Sequence, residues 1–398
     1  MEQLERVLPD WIESFLKYTD NTEPPYLFRK WTAISCVAAA MQRKCFINWG
    51  TAMTFYPNMF IVLVGPSAAG KGTAMNPGLQ ILSEIPTIRL AAQATSYQAL
   101  IRHLQKTNLT DIDMITGKEK AHSSLTIFSK EFTVFLGYHN DELMAALCEW
   151  FDCDENWAYE TVARQREEVK GVWVNLIGAT TPSSIRSALP DAAIGGGLTS
   201  RIIFVCEEKK GKLVTIPIQS AEELQLKEYL VHDLEKVSLL SGEYKHTEGF
   251  EELWNNWCYE AEANPPFYDQ KFDGYIGRRR GHLLKLAMII SASHGQHDLV
   301  ITADDLAEAI KTLNEVEVKM EGVFKGFGQS DIAELIHRAT AYIVNSGTSE
   351  IPLFQFARHF SSDMDKLTID RVIQSLEITK TIKLVSVPGG DDYIKRIA

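Results

Sequence analysis

Apolar residues recur three and four positions apart in two amino-terminal stretches, WIESFLKYT (11–19) and LFRKWTAISCVAAAMQRK (27–44). That spacing gives an α-helix one apolar stripe, so both are predicted helices, with EPPY (23–26) breaking the pattern between them. Near residue 54 the pattern changes. In NMFIVLVGPSAAGKGTAM (58–75) an unbroken apolar run meets a glycine-rich turn and then a helix-compatible segment, the order of buried strand, loop and helix in an α/β core. LTIFSKEF (125–132), VWVNLIGATTP (172–182) and SRIIFVCE (200–207) predict further buried strands, separated by segments long enough for the crossovers that parallel pairing requires. ENWAYETVARQREEVK (155–170) alternates as a hairpin, with Arg164, Gln165 and Arg166 near its tip.

Helical periodicity returns from 221 to about 325, and the glycine-rich VFKGFGQS (323–330) reads as a linker. The tail predicts a helix from Asp331, then LFQFARHF and KLTIDRVIQSLEIT, then two short strands, IKLVSV and DYIKRI, joined by Pro388-Gly389-Gly390. Three helices and a β-wing make a winged-helix module. The expected organisation is a helical segment at 1–53, an α/β core at 54–220, a helical lid at 221–328 and a winged-helix domain at 329–398.

A chain of 398 residues exceeds what one hydrophobic core supports, which agrees with several modules. Hydrophobic residues at 45% and charged residues at 23% are ordinary for a folded protein in water, and so exclude a disordered or fibrous chain. The net charge of −12 argues against coating nucleic acid with the whole surface, while leaving room for a local basic channel. The six cysteines are scattered without a C-x-x-C pair or zinc-type spacing. Acidic residues at the amino terminus and no apolar run of membrane-spanning length lead to the expectation of a cytoplasmic protein without a membrane partner.

The chemistry begins at Gly65-Pro66-Ser67-Ala68-Ala69-Gly70-Lys71-Gly72-Thr73. Glycines five apart followed by lysine let backbone N–H groups wrap a phosphate, and Lys71 brings a point charge to the β- and γ-phosphates of ATP. The preceding apolar strand is what this motif demands. One departure stands out: Gly72 occupies the place where a Ser or Thr hydroxyl ordinarily binds Mg²⁺, and Thr73 comes one residue late. The Gly-Lys-Gly-Thr ending is also that of adenylate-kinase-type loops, so a nucleotide kinase remains a rival, although some sixty residues precede the loop and no acceptor lid is apparent. The strand LTIF ends in Ser129-Lys130-Glu131, where such ATPases place two acids, one for Mg²⁺ and one to polarise the attacking water. Glu131 takes the water-activating role and, with Thr73, the expected metal contacts. Lys130 stands where the other acid belongs.

In this order of motifs, over roughly residues 25–330, the chain resembles P-loop ATPases of phages and mobile elements that are grouped with replicative helicases, and more distantly the minichromosome-maintenance helicases of the AAA+ class. The resemblance implies an AAA+/RecA-like P-loop ATPase core. GATTP (178–182) matches the first sensor strand and makes Thr181 a contact of the γ-phosphate or the lytic water. GGGLTSRIIFV (195–205) matches the arginine-finger strand, so Arg201 would reach a neighbouring subunit's ATP, after a mobile triglycine turn. RRRGHLLKLAMII (278–290) offers Arg278, Arg279 and Arg280 as a second sensor, and the spacing to Lys285-Leu286-Ala287 favours Arg278. The hairpin corresponds to a pore hairpin, with Arg164 and Arg166 gripping DNA and Lys170 behind them. The winged helix is open to DNA or protein.

The expectation is an ATP-dependent, ring-forming DNA helicase or translocase acting in phage or mobile-element replication on single-stranded or forked DNA. Its homo-oligomer would be a hexamer, with ATP and Mg²⁺ as cofactors and a replication protein as a further partner. An AAA+ loader acting on a protein is the first alternative, and a nucleotide kinase the second.

Overall fold

The computed structural model describes residues 5–92, 95–112, 117, 119–137, 140–161, 164–189, 196–295, 297–324, 331–361, 364–386 and 391–397. They form two compact units, Met1–Val323 and Phe324–Ala398.

In the first unit, α1 (Trp11–Tyr18) starts where the Asp10 carboxylate accepts the Glu13 amide proton, and α2 (Tyr26–Met41) starts after Pro25. An antiparallel pair follows, β1 (Cys45–Trp49) with β2 (Met53–Phe55), and then the wholly buried β3 (Phe60–Val64). After α3 (Lys71–Ser83) and α4 (Tyr97–Lys106) come β4 (Asn108–Ile112) and the long β5 (Glu119–Ser129). Two helices, α5 (Phe132–Leu136) and α6 (Asp141–Asp152), lead into a hairpin of β6 (Asn156–Thr161) and β7 (Arg164–Lys170). The core closes with β8 (Val172–Thr180), α7 (Pro182–Ala188) and β9 (Ile202–Cys206).

The central sheet has the order β4-β5-β8-β3-β9, parallel throughout except for the edge pair β4 and β5. Every residue of β8 is buried, as is every residue of β3. Neither strand alternates polar with apolar, because helices cover both faces of a parallel sheet. The predicted strands at 58–64, 125–132, 172–182 and 200–207 all lie in this sheet. The edge strand β4 escaped prediction, since NLTDI is polar and short.

The amino-terminal helices are no separate segment. Fifteen of the sixteen residues of α2 are buried, the paired Arg29 and Lys30 among them, so this helix lies inside the first unit. It packs against α3 so closely that a Cβ on Gly78 would stand 2.7 Å from Cys36 Sγ and 2.8 Å from Thr32 Cγ2.

The predicted helical block resolves into α8 (Ala221–Val237), two short strands, β10 (Gly242–Glu243) and β11 (Lys245–His246), then α9 (Glu248–Ala263), α10 (Asp273–Ser293), β12 (Val300–Ile301) and α11 (Ala303–Met320). A buried ion pair, Arg279 Nε to Glu317 Oε1 at 2.7 Å, joins α10 to α11, and Tyr275 donates to the same oxygen at 3.0 Å. At the end of α10, His294 bonds Asp305 at 2.8 Å and Glu308 at 3.2 Å, with Asp10 at 3.7 Å. The hydrogen bonds it donates to Asp305 and then Glu308 raise its pKa to about 10.

The second unit runs α12 (Asp331–Asn345), β13 (Glu350–Pro352), α13 (Leu353–His359), α14 (Lys366–Ile378), β14 (Ile382–Val385) and β15 (Tyr393–Arg396). Its sheet is antiparallel in the order β13-β15-β14, over a core that includes Phe356, Val372, Ile382 and Ile394. The three helices and two final strands match the predicted ones. β13 was not predicted, because three residues ending in proline carry no period. The turn at Pro388-Gly389-Gly390 and most of the linker at 323–330 lie outside the described residues. No helix among the described residues is long and apolar enough to cross a membrane.

Two stability outcomes follow from these contacts. Gly78→Ala should destabilise the first unit by roughly 1–3 kcal/mol, since overpacking outweighs the helix propensity gained, and adding Cys36→Ala should restore part of the loss. Thermal melts of the single and double variants read this, and an unchanged melting temperature for Gly78→Ala would refute the tight α2–α3 contact. For His294 the folded pKa lies above the ordinary 6.5, so its stabilisation is complete below pH 6.5 and is lost as pH rises through about 10. Wild type should therefore lose more stability between pH 6.5 and 9.5 than His294→Gln, in denaturant titrations at both pH values.

Candidate nucleotide site

The loop after β3 is pinned on both sides. Gly65 N donates to Thr180 O of β8 at 3.3 Å, and Glu207 N, just past β9, donates to Val64 O at 3.0 Å. This leaves no space at Gly65, where a Cβ would meet Glu207 O at 2.6 Å. Ala68 (φ 66°) and Gly70 (φ 79°) adopt left-handed backbone, the conformation that turns successive N–H groups into one concavity. Gly70 is followed directly by α3, and no side chain caps that helix. The first-turn amides of Lys71, Gly72 and Thr73 therefore have no intrahelical acceptor, and with the helix dipole they make a receptor for an anion. Pro24 walls the loop, 3.2 Å from a Cβ on Gly70.

Lys71 folds back over this concavity. Its Nζ donates to Gly65 O at 2.7 Å and to Pro66 O at 2.8 Å. Burial lowers its pKa, and the charge of Glu131 works in the opposite direction, so the two side chains sense each other. Carbonyl dipoles take two of the ammonium's three donors and leave its charge unneutralised.

Glu131 reaches the same edge because Ser129 of β5 pairs with Gly178 of β8, two residues before the strand end beside the loop. It is exposed, immediately before α5. Lys130 is exposed as well, and its Cδ lies 3.9 Å from the position of a Cβ on Gly72. These residues do not fit the expected Mg²⁺. A hard divalent cation takes oxygen ligands, yet a glycine and an ammonium stand together where the hydroxyl and carboxylate belong. Thr73 does not replace them, since successive helical residues point about 100° apart. Among the described residues, the cluster with metal-type donors is Asp10, His294 and Glu308, distinct from the loop, and in it both His294 nitrogens already face carboxylates.

Thr181 is at the correct edge but employed differently from the sensor expected of it. Its Oγ1 accepts the Ser184 amide at 3.2 Å and bonds Ser184 Oγ at 2.8 Å, capping α7.

Arg201 lies at the opposite end of the sheet. Ile202 pairs with Phe60 at the start of β3, whereas the loop follows Val64, so about 15 Å of strand separate the two. The mobile, exposed finger expected at this position is not found. Arg201 is only 8% exposed, its Nε donates to Asp152 Oδ1 at 3.1 Å, its Nη2 contacts Asp152 Oδ2, and its Nη1 donates to Gly197 O at 2.7 Å. A guanidinium bound on three sides is a fixed part of the wall. Of the preceding triglycine turn, Gly196 and Gly197 are described and Gly195 lies outside the described residues.

The three arginines of α10 divide by environment. Arg279 belongs to the buried pair with Glu317, and Arg280 is exposed beside Glu262 at 3.4 Å. Arg278 is half-buried, with one long 3.5 Å bond to Gly274 O, and its pKa is lowered by burial and by Arg201 while Asp152 opposes the shift. Arg278 and Arg201 thus stand together, away from the loop. Arg278, but not Arg201, borders a cavity of about 420 Å³ also lined by Trp49, Phe55, Trp254, Arg280 and Lys285. Lys285 is buried, donates to Asn58 Oδ1 at 2.8 Å, lies over the Phe151 ring, and is brought down to about 8 by burial.

In the hairpin, Thr161 pairs with Arg164 at the tip, and Lys170 pairs with Asn156 at the base, where it is exposed. The side chains of Arg164 and Arg166 lie outside the described residues. Glu167 faces Arg102 of α4 at 3.7 Å.

Three contributors escaped the sequence reading. Lys130 was visible as a cation in an acid's place, but its approach to Gly72 was not. Pro24 read only as a helix breaker. Asp152, the partner of Arg201, carries no motif. No protein-family model matches this chain, and no curated protein matches it in sequence.

Lys71→Ala should weaken binding of a fluorescent ATP analogue at least about tenfold, or roughly 1.4 kcal/mol, whereas Glu131→Gln should bind normally. Equal affinity of Lys71→Ala and wild type in anisotropy titrations would remove the loop as the site.

Proposed function

We propose that this chain is an AAA+-type P-loop ATPase that assembles into a ring, hexameric by the resemblance, and moves DNA as a helicase or translocase. One observation carries the reading: a phosphate-receptive loop and a pair of arginines occupy opposite ends of the same parallel sheet. Arginines this far from their own loop cannot serve it, yet they are placed to serve the loop of a neighbour. The sheet order supports it too, because β8 lies between the loop strand β3 and the strand β5 that carries Glu131. That insertion puts Glu131 across a gap from the loop, where an attacking water fits between the carboxylate and the γ-phosphate.

In the proposed reaction, loop amides and Lys71 hold the triphosphate, and Glu131 orients a water and takes its proton as the oxygen attacks the γ-phosphorus. The bond to the bridging oxygen breaks, leaving ADP and phosphate. Arg278 of the adjacent subunit stabilises charge on the transferred group, while Arg201 and Asp152 hold Arg278 in place. The hairpin springs from the arginine end of the sheet, since β8 begins at Val172, before the Phe60–Leu176 level, and this supports its reading as the DNA-gripping element. The order helix, strand, helix, helix, strand, strand in the second unit is that of a winged helix, a module for DNA or a replication partner.

Mixing subunits tests the ring. Lys71→Ala and Arg278→Ala should each be inactive alone, and their mixture should recover part of the ATP hydrolysis, because some interfaces pair an intact loop with an intact arginine. Forked or single-stranded DNA should raise wild-type turnover several-fold. If mixed oligomers form and no ratio restores hydrolysis, the shared site is wrong. DNA-independent hydrolysis would point instead to the protein-remodelling alternative, and phosphate transfer to a nucleoside monophosphate to a kinase.

A further inference from the structure

We propose that Lys130 takes the place of a divalent cation in this site, so that the chain binds nucleoside triphosphate without Mg²⁺. The inference rests on the reading of Gly65–Thr73 as a nucleotide loop and goes beyond it, because that reading carries the ordinary expectation of a metal.

The usual arrangement surrounds the β- and γ-phosphates with a loop lysine, a divalent cation, and a carboxylate that helps a hydroxyl hold that cation. Lysine, cation and carboxylate together leave two net positive charges. Here the same two charges come from Lys71 and Lys130 alone. The coincidence is spatial as well as arithmetic. The Lys130 stem passes over the first turn of α3 with Cδ 3.9 Å from where a Gly72 side chain would begin, so the two departures from the usual pattern meet at one point. With no side chain at Gly72, nothing at that residue blocks the stem, and the ammonium lies only two bonds beyond Cδ. A serine there would add a hydroxyl for which no cation is left.

The ammonium is chemically suited to the task. It offers three donors on a flexible stem and no acceptor, and phosphate oxygens accept from it. Among the described residues no ion pair or hydrogen bond occupies it. Glu131, the nearest acid in sequence, acts on Lys71 through its charge. A divalent ion approaching the same phosphate oxygens would meet Lys130 as a like charge and would find neither of its two usual oxygen ligands.

The experiment measures binding of a fluorescent ATP analogue to the full chain, in EDTA and in excess Mg²⁺. Wild type should bind with dissociation constants within about threefold of each other in the two conditions. Lys130→Gln should lose at least tenfold in EDTA, and Lys130→Arg should retain affinity there. The double variant Gly72→Ser with Lys130→Asp should be poor in EDTA and recover in Mg²⁺, which shows that the site has been converted rather than unfolded. Wild type that binds only when Mg²⁺ is present overturns the role of Lys130 while keeping the nucleotide site. Lys130→Gln that binds in EDTA as well as wild type overturns it too. Wild type that binds in neither condition overturns the nucleotide reading itself.

Discussion

The arrangement depends on one strand being enclosed on both sides. β3 is a central strand whose neighbours, β8 and β9, end level with it, and Thr180 O at the end of β8 and Glu207 N just past β9 make the hydrogen bonds that fix Gly65 and Val64. Once these bonds are made, the chain leaving β3 has no lateral freedom, and the loop must turn within a space too small for a Cβ at Gly65. Left-handed backbone at Ala68 and Gly70 is the way to make that turn, at a cost of about 1–3 kcal/mol for the alanine. The surrounding sheet supplies the rigidity that keeps it. The turn is thereby fixed at the start of α3, a helix whose first amides no side chain caps.

The same parallel sheet sets the distance between chemical parts. Its C-terminal edge gathers Lys71 from the start of α3, Lys130 and Glu131 from the end of β5, and Thr181 from the end of β8. Its other edge gathers Arg201, Asp152 and, from α10, Arg278. The second group is net positive in a chain whose overall charge is −12, and Asp152 is occupied by Arg201. Concentrating cations against the general charge of the molecule requires burial and geometry to hold them, which the Arg201–Asp152 contact and the Lys285–Asn58 bond provide.

What the sequence made legible follows from how local each signal is. Buried strands announce themselves as apolar runs, and Gly65 to Thr73 as a spacing, so the four parallel strands, the loop and Lys71 were readable. The helices of the second unit were readable from their period. β4 and β13 were not, because short polar strands gain their stability from pairing rather than from composition. The surroundings of Arg201 and Thr181 were not legible for a related reason. Position along a motif says where a side chain starts, whereas Asp152 and the Ser184 amide, both distant from the motif's logic, decide where it goes. Likewise Arg278, Arg279 and Arg280 are equivalent in sequence and are separated only by the facing helices, where Glu317 claims one and Glu262 another.

The burial of α2 carries a consequence for the birth of the protein. This helix is buried on all sides, yet apart from α1 the elements that cover it, α3, β8, β9, α8 and α10 among them, are encoded after it. A ribosome adds roughly 5–20 residues per second, so the interval between release of Met41 and arrival of Cys206 is on the order of ten seconds or more. For that time the nascent chain carries a largely apolar helix with little besides α1 to cover it. The requirement that the helix be central in the finished molecule thus makes the growing polypeptide a client for holding factors, and makes its yield in a cell sensitive to how quickly the sheet strands follow.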